Sequence, residues 1–439
     1  MIGNTREFLG TQVDNSSLVF FRMCYGFLVA AETFGAILTG WVERTLITPT
    51  FTFSFIGFDW LQPLPGDGMY FYFIAMGVCG LLIMLGLFYK AATVVFFVLW
   101  TGVYLMQKAE YNNHYYLLVL LSAAMIFMPA HKSRSLDVRL GITKESKTCL
   151  KAHIWFFILQ ILIVYVFASL NKIHLDWLMA KPIGIWFHSK ANYWLIGPLL
   201  DTRFFQYLIS WGGVLYDGAI VFLLLNKSTR KLGFYLSLVF NLFNSAVFQI
   251  GIFPYMMIAF TVFFFPPENI RKLIFKDKST VESQVGVLGK PVFAILAAYF
   301  VIQLFLPIRH HLFKGDVHWS EEGHKMAWQM MLRSKSGYVR FDVVDKETLN
   351  KTRINMSDFL SLRQRRSIVG EPDMIWQFAQ RVKEAYRQDG KDVAVYAVSR
   401  LSLNGHTLQP LIDPETDLAS VLWDRWKHSD WILTYDSYD

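Results

Sequence analysis

Lys172 ends a long uncharged run of the sequence, in the stretch VFASLNKIHLDWL at residues 166–178. An apolar environment disfavours the ammonium form of a lysine, so an amine held in such a pocket can act as a base near neutral pH. The alternative is a lysine whose flexible side chain carries its charge to the membrane surface. The stretch by itself leaves both interpretations open.

A second polar cluster, Asn112, Asn113 and His114, begins another apolar run in EYNNHYYLLVLLS. Histidine commonly exchanges protons near neutral pH, which makes His114 a second candidate for chemistry. The alternative is an interfacial histidine beside an aromatic belt that includes Tyr115 and Tyr116. A chemical role for either cluster depends on whether the fold brings the two together.

Composition predicts an α-helical polytopic membrane protein. Hydrophobic residues make up 54 % of the 439 residues, and charges cluster between long uncharged runs. A run of about 20 residues crosses a bilayer, which predicts about nine transmembrane helices. The runs lie at 18–41, 70–88, 91–107, 113–130, 153–171, 203–225, 232–250, 252–266 and 290–307.

The run from Leu232 to Pro266 is treated as a helical hairpin because Gly251 and Pro254 interrupt it. Lys and Arg then concentrate in alternate connections, at 90, 132–151, 227–231 and 271–290. This alternation predicts a cytoplasmic N-terminus and a C-terminus on the opposite side. The fourth and fifth runs would then bring His114 and Lys172 to the same outer face of the membrane.

After residue 307 the charges become dense, and the segments GYVRFDVVD and DVAVYAVSRLSL alternate as strands do. A helix is expected at about 371–388 between them. We therefore predict a membrane domain at 1–307 and an exoplasmic α+β domain at 308–439, which would cover a cavity holding Lys172 and His114.

Several classes of site are not expected. The formal net charge of +8 is not taken as a sign of nucleic-acid binding, because in a membrane protein the positions of Lys and Arg carry the information. Cys24, Cys79 and Cys149 form neither a disulfide framework nor a metal-ligand spacing. No nucleic-acid partner and no metal are predicted.

Five segments carry a more specific pattern: FDWLQPLPGDGMYFYFIAMG, LMQKAEYNNHYYLLVLL, VYVFASLNKIHLDW, FNSAVFQIGIFPYMMIA and WSEEGHKMAWQMML. In this order they closely resemble the vitamin K-dependent γ-glutamyl carboxylases, in the short bacterial form with a horizontally transferred transmembrane (HTTM) domain. Near the C-terminus, AVSRLSLNGHTLQPLIDP is similar to the exoplasmic domain of the same family. The resemblance covers nearly the whole chain.

The resemblance implies a reaction that makes a strong base from a weak one. In this family a neutral lysine deprotonates reduced vitamin K, and the oxygenated product removes a γ-proton from a glutamate side chain, which then captures CO2. The products are γ-carboxyglutamate and vitamin K epoxide. Lys172 would be the base, and His114, beside Asn113, would stabilise or steer the oxygenated intermediate. The resemblance implies that the cofactor is bound by Asn113 and by the residues that match the quinone pocket, namely Tyr165, Phe253, Tyr255, Met257, Met330 and Met331.

Substrate contacts depart from the animal enzymes. Arg333 stands where the family has a histidine that contacts the glutamate, and Asn171 replaces a second lysine next to the base. Arg365 or Arg366 and His406 are further candidates for substrate contact. The chain ends where the animal enzymes continue into another β-rich region, so propeptide recognition in the animal manner is not expected.

We expect a carboxylase that uses O2, CO2 and a reduced vitamin K, either phylloquinol or menaquinol. Its partners would be the lipid bilayer, the quinol and a glutamate-containing protein or peptide. The short form implies a bacterial inner membrane with a periplasmic C-terminal domain. The alternatives are a quinol epoxidase that carboxylates no protein, and a non-catalytic transporter or receptor that binds an anion at Lys172.

Overall fold

The computed structural model describes residues 2–194 and 196–435. In chain order, its α-helices are α1 (Ile2–Gly10), α2 (Ser16–Leu38), α3 (Gly68–Leu85), α4 (Tyr89–Met106), α5 (Asn113–Phe127), α6 (Leu136–Arg139), α7 (Lys151–Asn171), α8 (Leu175–Leu178), α9 (Lys181–His188), α10 (Gly197–Leu200), α11 (Arg203–Leu225), α12 (Arg230–Phe248), α13 (Phe253–Phe260), α14 (Pro267–Leu273), α15 (Lys290–Ile308), α16 (Val317–Ser320), α17 (Leu362–Ser367) and α18 (Pro372–Gln388). The strands are β1 (Gln12–Asp14), β2 (Thr148–Leu150), β3 (Lys335–Asp345), β4 (Lys351–Arg353), β5 (Val393–Leu403) and β6 (Gln409–Pro410).

Each of the nine predicted apolar runs forms a helix, and these helices are α2, α3, α4, α5, α7, α11, α12, α13 and α15. Among the described residues, seven helices are long and apolar enough to cross a membrane. The other two apolar helices, Asn113–Phe127 and Phe253–Phe264, are shorter. The fold class, a polytopic membrane protein with a C-terminal α+β domain, is confirmed.

The hairpin between α12 and α13 forms where it was predicted. Helix α12 ends at Phe248, the next residue, Gln249, has a left-handed φ of 52°, and Gly251 follows with a φ of 60°. Pro254 lies in the first turn of α13, where its missing N–H costs no helical hydrogen bond. The turn therefore places Phe253 at the start of a short buried helix.

Helices α2 and α3 cross closely because a glycine of each helix lies against the backbone of the other. An added Cβ on Gly26 would lie 2.3 Å from the backbone nitrogen of Met84, and one on Gly80 would lie 2.7 Å from the nitrogen of Ala30. Small residues at such a crossing let two backbones approach and gain packing contacts.

Three segments that were predicted to share the cytoplasmic side contact one another. Strand β1 pairs with β2, which joins the N-terminal segment to the connection before α7. The buried guanidinium of Arg271, in α14, donates to both carboxylate oxygens of Asp14, at 2.6 and 2.8 Å. Arg271 also contacts Asp277 at 3.1 Å.

The C-terminal domain contains a four-stranded sheet in the order β4-β3-β5-β6. Strands β3 and β5 are the two predicted strands, and they pair antiparallel from Lys335 opposite Leu403 to Asp345 opposite Val393. The amphipathic helix α18 packs its apolar face, including Ile375 and Phe378, on this sheet. The sheet and α18 form a hydrophobic core separate from that of the membrane domain.

Buried polar contacts join the C-terminal domain to the membrane domain. Lys108 follows α4, and its ammonium lies 2.6 Å from Asp373 of α18. Lys325 contacts the same carboxylate at 3.1 Å. Lys325 lies in the C-terminal domain itself, and a second contact between the domains joins Asp176, just after α7, to His406 after β5, at 3.1 Å. These contacts fix the domain above the ends of α4, α5 and α7.

Candidate active site

Lys172 lies at the wall of a cavity of about 100 Å³ between α7, α11 and the start of α13. Its side chain is only 10 % exposed, which excludes an extended side chain that reaches the surface. Trp177 covers it on one side, with the ammonium 5.5 Å from the ring centroid. The lining is otherwise mainly aromatic and aliphatic.

Asp217, in the middle of α11, forms a salt bridge with the Lys172 ammonium. Its side chain is 5 % exposed, so both charges are removed from water. The crossing of α7 and α11 brings Lys172 and Asp217 together. Ser169 lies three residues before Lys172, and Val214 lies three residues before Asp217. The Ser169 hydroxyl donates to the carbonyl oxygen of Val214 at 2.9 Å. Sequence reasoning did not select Asp217, although a lone acid inside an apolar run is itself a signal of function.

His114 lines the same cavity, so the structure brings the two sequence candidates together. Its imidazole stacks on Phe253, with ring centroids 3.9 Å apart and planes 19° apart. His114 begins α5 and Phe253 begins α13, so the stack depends on the tight turn before α13. The apolar partner covers one face of the imidazole and leaves its ring nitrogens as the polar groups.

Residues 326–331, here called the roof loop, cover this cavity from the C-terminal domain. The loop contains three non-glycine residues with positive φ, namely Met326, Trp328 and Met331. Such backbone strain persists where surrounding contacts hold it, and it is often found at functional sites. The loop brings Met330 and Met331 to the cavity.

Two asparagines hold the roof loop in place. Asn113 donates its side-chain amide to the carbonyl oxygen of Gln329 at 3.0 Å, and Asn171 donates to that of Ala327 at 3.0 Å. Asn113 was predicted to bind the cofactor, and in this structure its side-chain amide contacts the loop that covers the cavity. Asn171 stands where the animal enzymes have lysine, and its amide is the group that makes this contact.

A larger cavity of about 590 Å³ adjoins the first. Both are lined by His114, Ile250, Phe253 and Met331. Glu32 of α2 also lines the larger cavity and accepts a hydrogen bond from the Tyr115 hydroxyl at 3.2 Å. Glu32 thereby connects α2 to the residue that follows His114.

A third cavity, of about 230 Å³, lies in the C-terminal domain and also contains Met331 in its lining. Arg333 lies there but is engaged by Glu321, which also contacts Lys335. Burial raises the pKa of Glu321, but Arg333, His324 and Lys335 outweigh it and hold that pKa well below its usual range. Arg333 therefore belongs to a neutralised cluster.

Arg366 is exposed and lines the same cavity. The described residues offer it no ion-pair partner, unlike Arg333. Of the predicted substrate contacts, Arg366 is therefore the more available cation.

Glu321, His324 and Glu371 also have the spacing of metal ligands. Arg333, Lys325 and Lys335 already engage the two carboxylates, so we assign no metal.

Of the remaining predicted residues, Tyr255, Met257, Arg365 and His406 do not line the Lys172 cavity. Met257 is 2 % exposed in the membrane-domain core, and Tyr255 is 44 % exposed, with Ser245 donating to its hydroxyl at 2.9 Å. His406 lies 3.1 Å from Asp176 and 3.1 Å from Lys181. Arg365 is half-buried and its Nε has no partner among the described residues. Tyr165 does line the cavity.

Two family models match the chain. The model described as HTTM domain matches residues 11–268, and the model described as vitamin K-dependent gamma-carboxylase, lumenal domain, matches residues 289–437. The chain belongs to the vitamin K-dependent gamma-carboxylase family. No solved structure shows a significant match to it. The gamma-carboxylase relationship supports vitamin K-dependent carboxylation at the family level.

The cavity of this gamma-carboxylase family member fits a reduced quinone in its chemistry. A flat apolar ring suits walls made of aromatic and thioether side chains, such as Phe253, Met330 and Met331. A hydroxyl group would meet the amine of Lys172 or a nitrogen of His114. The adjoining cavity gives room for a larger molecule than the space at Lys172 alone.

Proposed function

We propose that this protein carboxylates the γ-carbon of glutamate side chains and couples that reaction to epoxidation of reduced vitamin K, with O2 and CO2 as co-substrates. The observation that carries the proposal is that Lys172 and His114 line one cavity whose walls are mainly apolar and aromatic. We further propose residues 1–307 as the catalytic domain and residues 308–439 as the domain that receives the glutamate.

Lys172 is proposed to take a proton from a quinol hydroxyl group. Reduced vitamin K, when bound, supplies with O2 the base that is strong enough to remove a γ-proton from glutamate. Trp177, Phe253 and the roof loop exclude water, which would otherwise quench a strong base. His114 can donate a hydrogen bond to an oxygen atom that develops negative charge in this cavity.

The glutamate substrate is proposed to enter through the third cavity. Arg366 provides an exposed guanidinium that can hold a carboxylate with two parallel hydrogen bonds. Met331 lines both this cavity and the Lys172 cavity, so a substrate side chain that passes Met331 reaches the reacting atoms. Arg333 shapes the wall of the entrance through its contact with Glu321.

The proposed setting is a bacterial inner membrane, with the N-terminus cytoplasmic and the C-terminal domain periplasmic. Two features support it. The basic residues concentrate in alternate connections, and the matched family domain is described as lumenal, which corresponds to the exoplasmic side. The quinol would enter from lipid, while the peptide would come from the aqueous side.

One assay separates this proposal from its alternatives. Purified full-length protein is incubated with reduced vitamin K, O2, labelled bicarbonate and a glutamate-containing peptide, and both epoxide and fixed label are measured. Epoxide together with label supports carboxylation. Epoxide without label would identify a quinol epoxidase that modifies no peptide. The absence of both products would reject catalysis and favour a transporter or receptor.

A further inference from the structure

The salt bridge between Lys172 and Asp217 bears directly on how the amine becomes a base. An ammonium and a carboxylate that lie together out of water stabilise each other's charged forms. Lys172 can accept a proton only as the free amine. The carboxylate partner therefore decides how readily the amine becomes available.

Asp217 is built into the helix crossing and not placed by a flexible loop. An added Cβ on Gly218 would lie 3.1 Å from the Ser169 hydroxyl, and one on Gly213 would lie 3.9 Å from the Lys172 ammonium. The contact at Gly213 is an ordinary van der Waals distance, so Gly218 is the glycine that lets α11 approach α7 closely next to Asp217. The approach holds Lys172 at the cavity wall.

Other titratable groups near the pair are few. Tyr165 of α7 and Tyr216 of α11 have hydroxyl oxygens 3.4 Å apart. His114 lines the same cavity as Lys172. His174 follows Lys172 by two residues, and from the C-terminal domain the cavity receives only the uncharged Met330 and Met331. Asp217 is the carboxylate among these groups.

We infer that Asp217 is a positioning residue for Lys172, whose carboxylate holds the amine at the cavity wall and stabilises its ammonium form. When the ammonium loses its proton, an Nζ–H bond breaks, the nitrogen keeps the electron pair, and the proton goes to bulk water outside the cavity. Loss of the carboxylate removes the charge that favours the ammonium. The same step then occurs at lower pH.

The test uses full-length protein with Asp217→Asn, Asp217→Glu and a control, Asp201→Asn. Asp201 lies just before the same helix, and its carboxylate is 38 % exposed. The first measurement needs no quinol. Methylation of Lys172 by formaldehyde and cyanoborohydride is followed by mass spectrometry as a function of pH, because only the free amine reacts.

Asp217→Asn is expected to move the half-maximal pH of Lys172 methylation down by about 1–3 units, as expected for removal of an adjacent opposite charge. Asp217→Glu and Asp201→Asn are expected to keep the wild-type value. If asparagine prevents folding, Asp217→Ser gives a second neutral variant. A half-maximal pH that is the same in the neutral variants and the wild type would overturn the inference.

The second measurement rests on the proposed function. In Asp217→Asn, the acid limb of the pH profile of epoxide formation is expected to move to lower pH. The size of this shift should equal the shift in the half-maximal pH of Lys172 methylation. Methylation that shifts in a protein that forms no epoxide would reject the proposed function and leave the role of Asp217 intact. If Asp217→Asn forms epoxide but changes neither the acid limb of its pH profile nor the half-maximal pH of methylation, the role of Asp217 is rejected and the proposed function stands.

Discussion

At the scale of single residues, the site combines one basic amine, its carboxylate partner, one imidazole and walls that are otherwise mainly apolar. Sequence reasoning selected Lys172 and His114, together with four lining residues that do reach the cavity, namely Tyr165, Phe253, Met330 and Met331. It could not select Asp217 as a partner, because that pairing depends on which face of α11 meets α7. Hydropathy locates a helix in the sequence but does not fix its rotation about its axis.

His114→Phe is expected to lower epoxide formation and carboxylation by about 10²- to 10⁴-fold, the usual contribution of a positioned proton donor or acceptor. Phenylalanine can still stack on Phe253, so the protein is expected to unfold at nearly the wild-type temperature. Product formation is measured together with thermal unfolding. Full activity in His114→Phe would show that the ring nitrogens play no part.

At the scale of elements, the sequence predicted the helices well because a bilayer requires long apolar segments with internally satisfied backbones. The hairpin at Gly251 and the strands β3 and β5 were also predicted correctly, since local residue types determine them. The crossings between helices were not predictable in the same way. They depend on close contacts such as Gly26 against Met84, which join positions far apart in sequence.

Gly26→Ala is expected to destabilise the membrane domain by at least about 1–3 kcal/mol, because the new methyl group would overlap the α3 backbone. Gly35→Ala is the matched control on the same helix, where an added Cβ meets nothing within 4 Å. Replacing a glycine in a helix stabilises it by about 0.5–1 kcal/mol, so Gly35→Ala is expected to be neutral or mildly stabilising. Thermal unfolding in detergent compares the two, and equal unfolding temperatures would contradict the proposed crossing.

At the scale of the whole molecule, buried charges hold the C-terminal domain on the membrane domain. The sequence predicted two domains because charge density and periodicity change after residue 307. The contacts between them were not predictable, since Lys108 and Asp373 are separated by 265 positions. This attachment matters for function because the same domain supplies Met330 and Met331.

Asp373→Asn is expected to destabilise the protein by about 3–5 kcal/mol at neutral pH, since it leaves two buried ammonium groups without their shared carboxylate. Burial raises the pKa of Asp373, but Lys108 and Lys325 outweigh it, so the pKa lies below its usual range. The stabilisation is therefore full above the unfolded-state pKa of about 3.9 and is lost as the pH falls through the lower folded-state pKa.

Unfolding of wild type and Asp373→Asn is measured between pH 7 and the lowest pH at which the protein stays soluble. The difference in the free energy of unfolding between wild type and Asp373→Asn should narrow only below about pH 4. Asp392→Asn is the control, because Asp392 and its partner Lys346 are exposed and their salt bridge is worth at most about 1 kcal/mol. An equal effect of the two substitutions would show that Asp373 does not hold the domains together.

Lys172 is proposed to be the base that takes a proton from the quinol, and replacing it with glutamine in Lys172→Gln tests this role. Epoxide formation from reduced vitamin K is compared in wild type, Lys172→Gln and Lys190→Gln, whose lysine lies in the same connection but outside the Lys172 cavity. We predict that Lys172→Gln loses epoxide formation by about 10²-fold or more while Lys190→Gln keeps it. If Lys172→Gln forms epoxide at the wild-type rate, Lys172 is not the base.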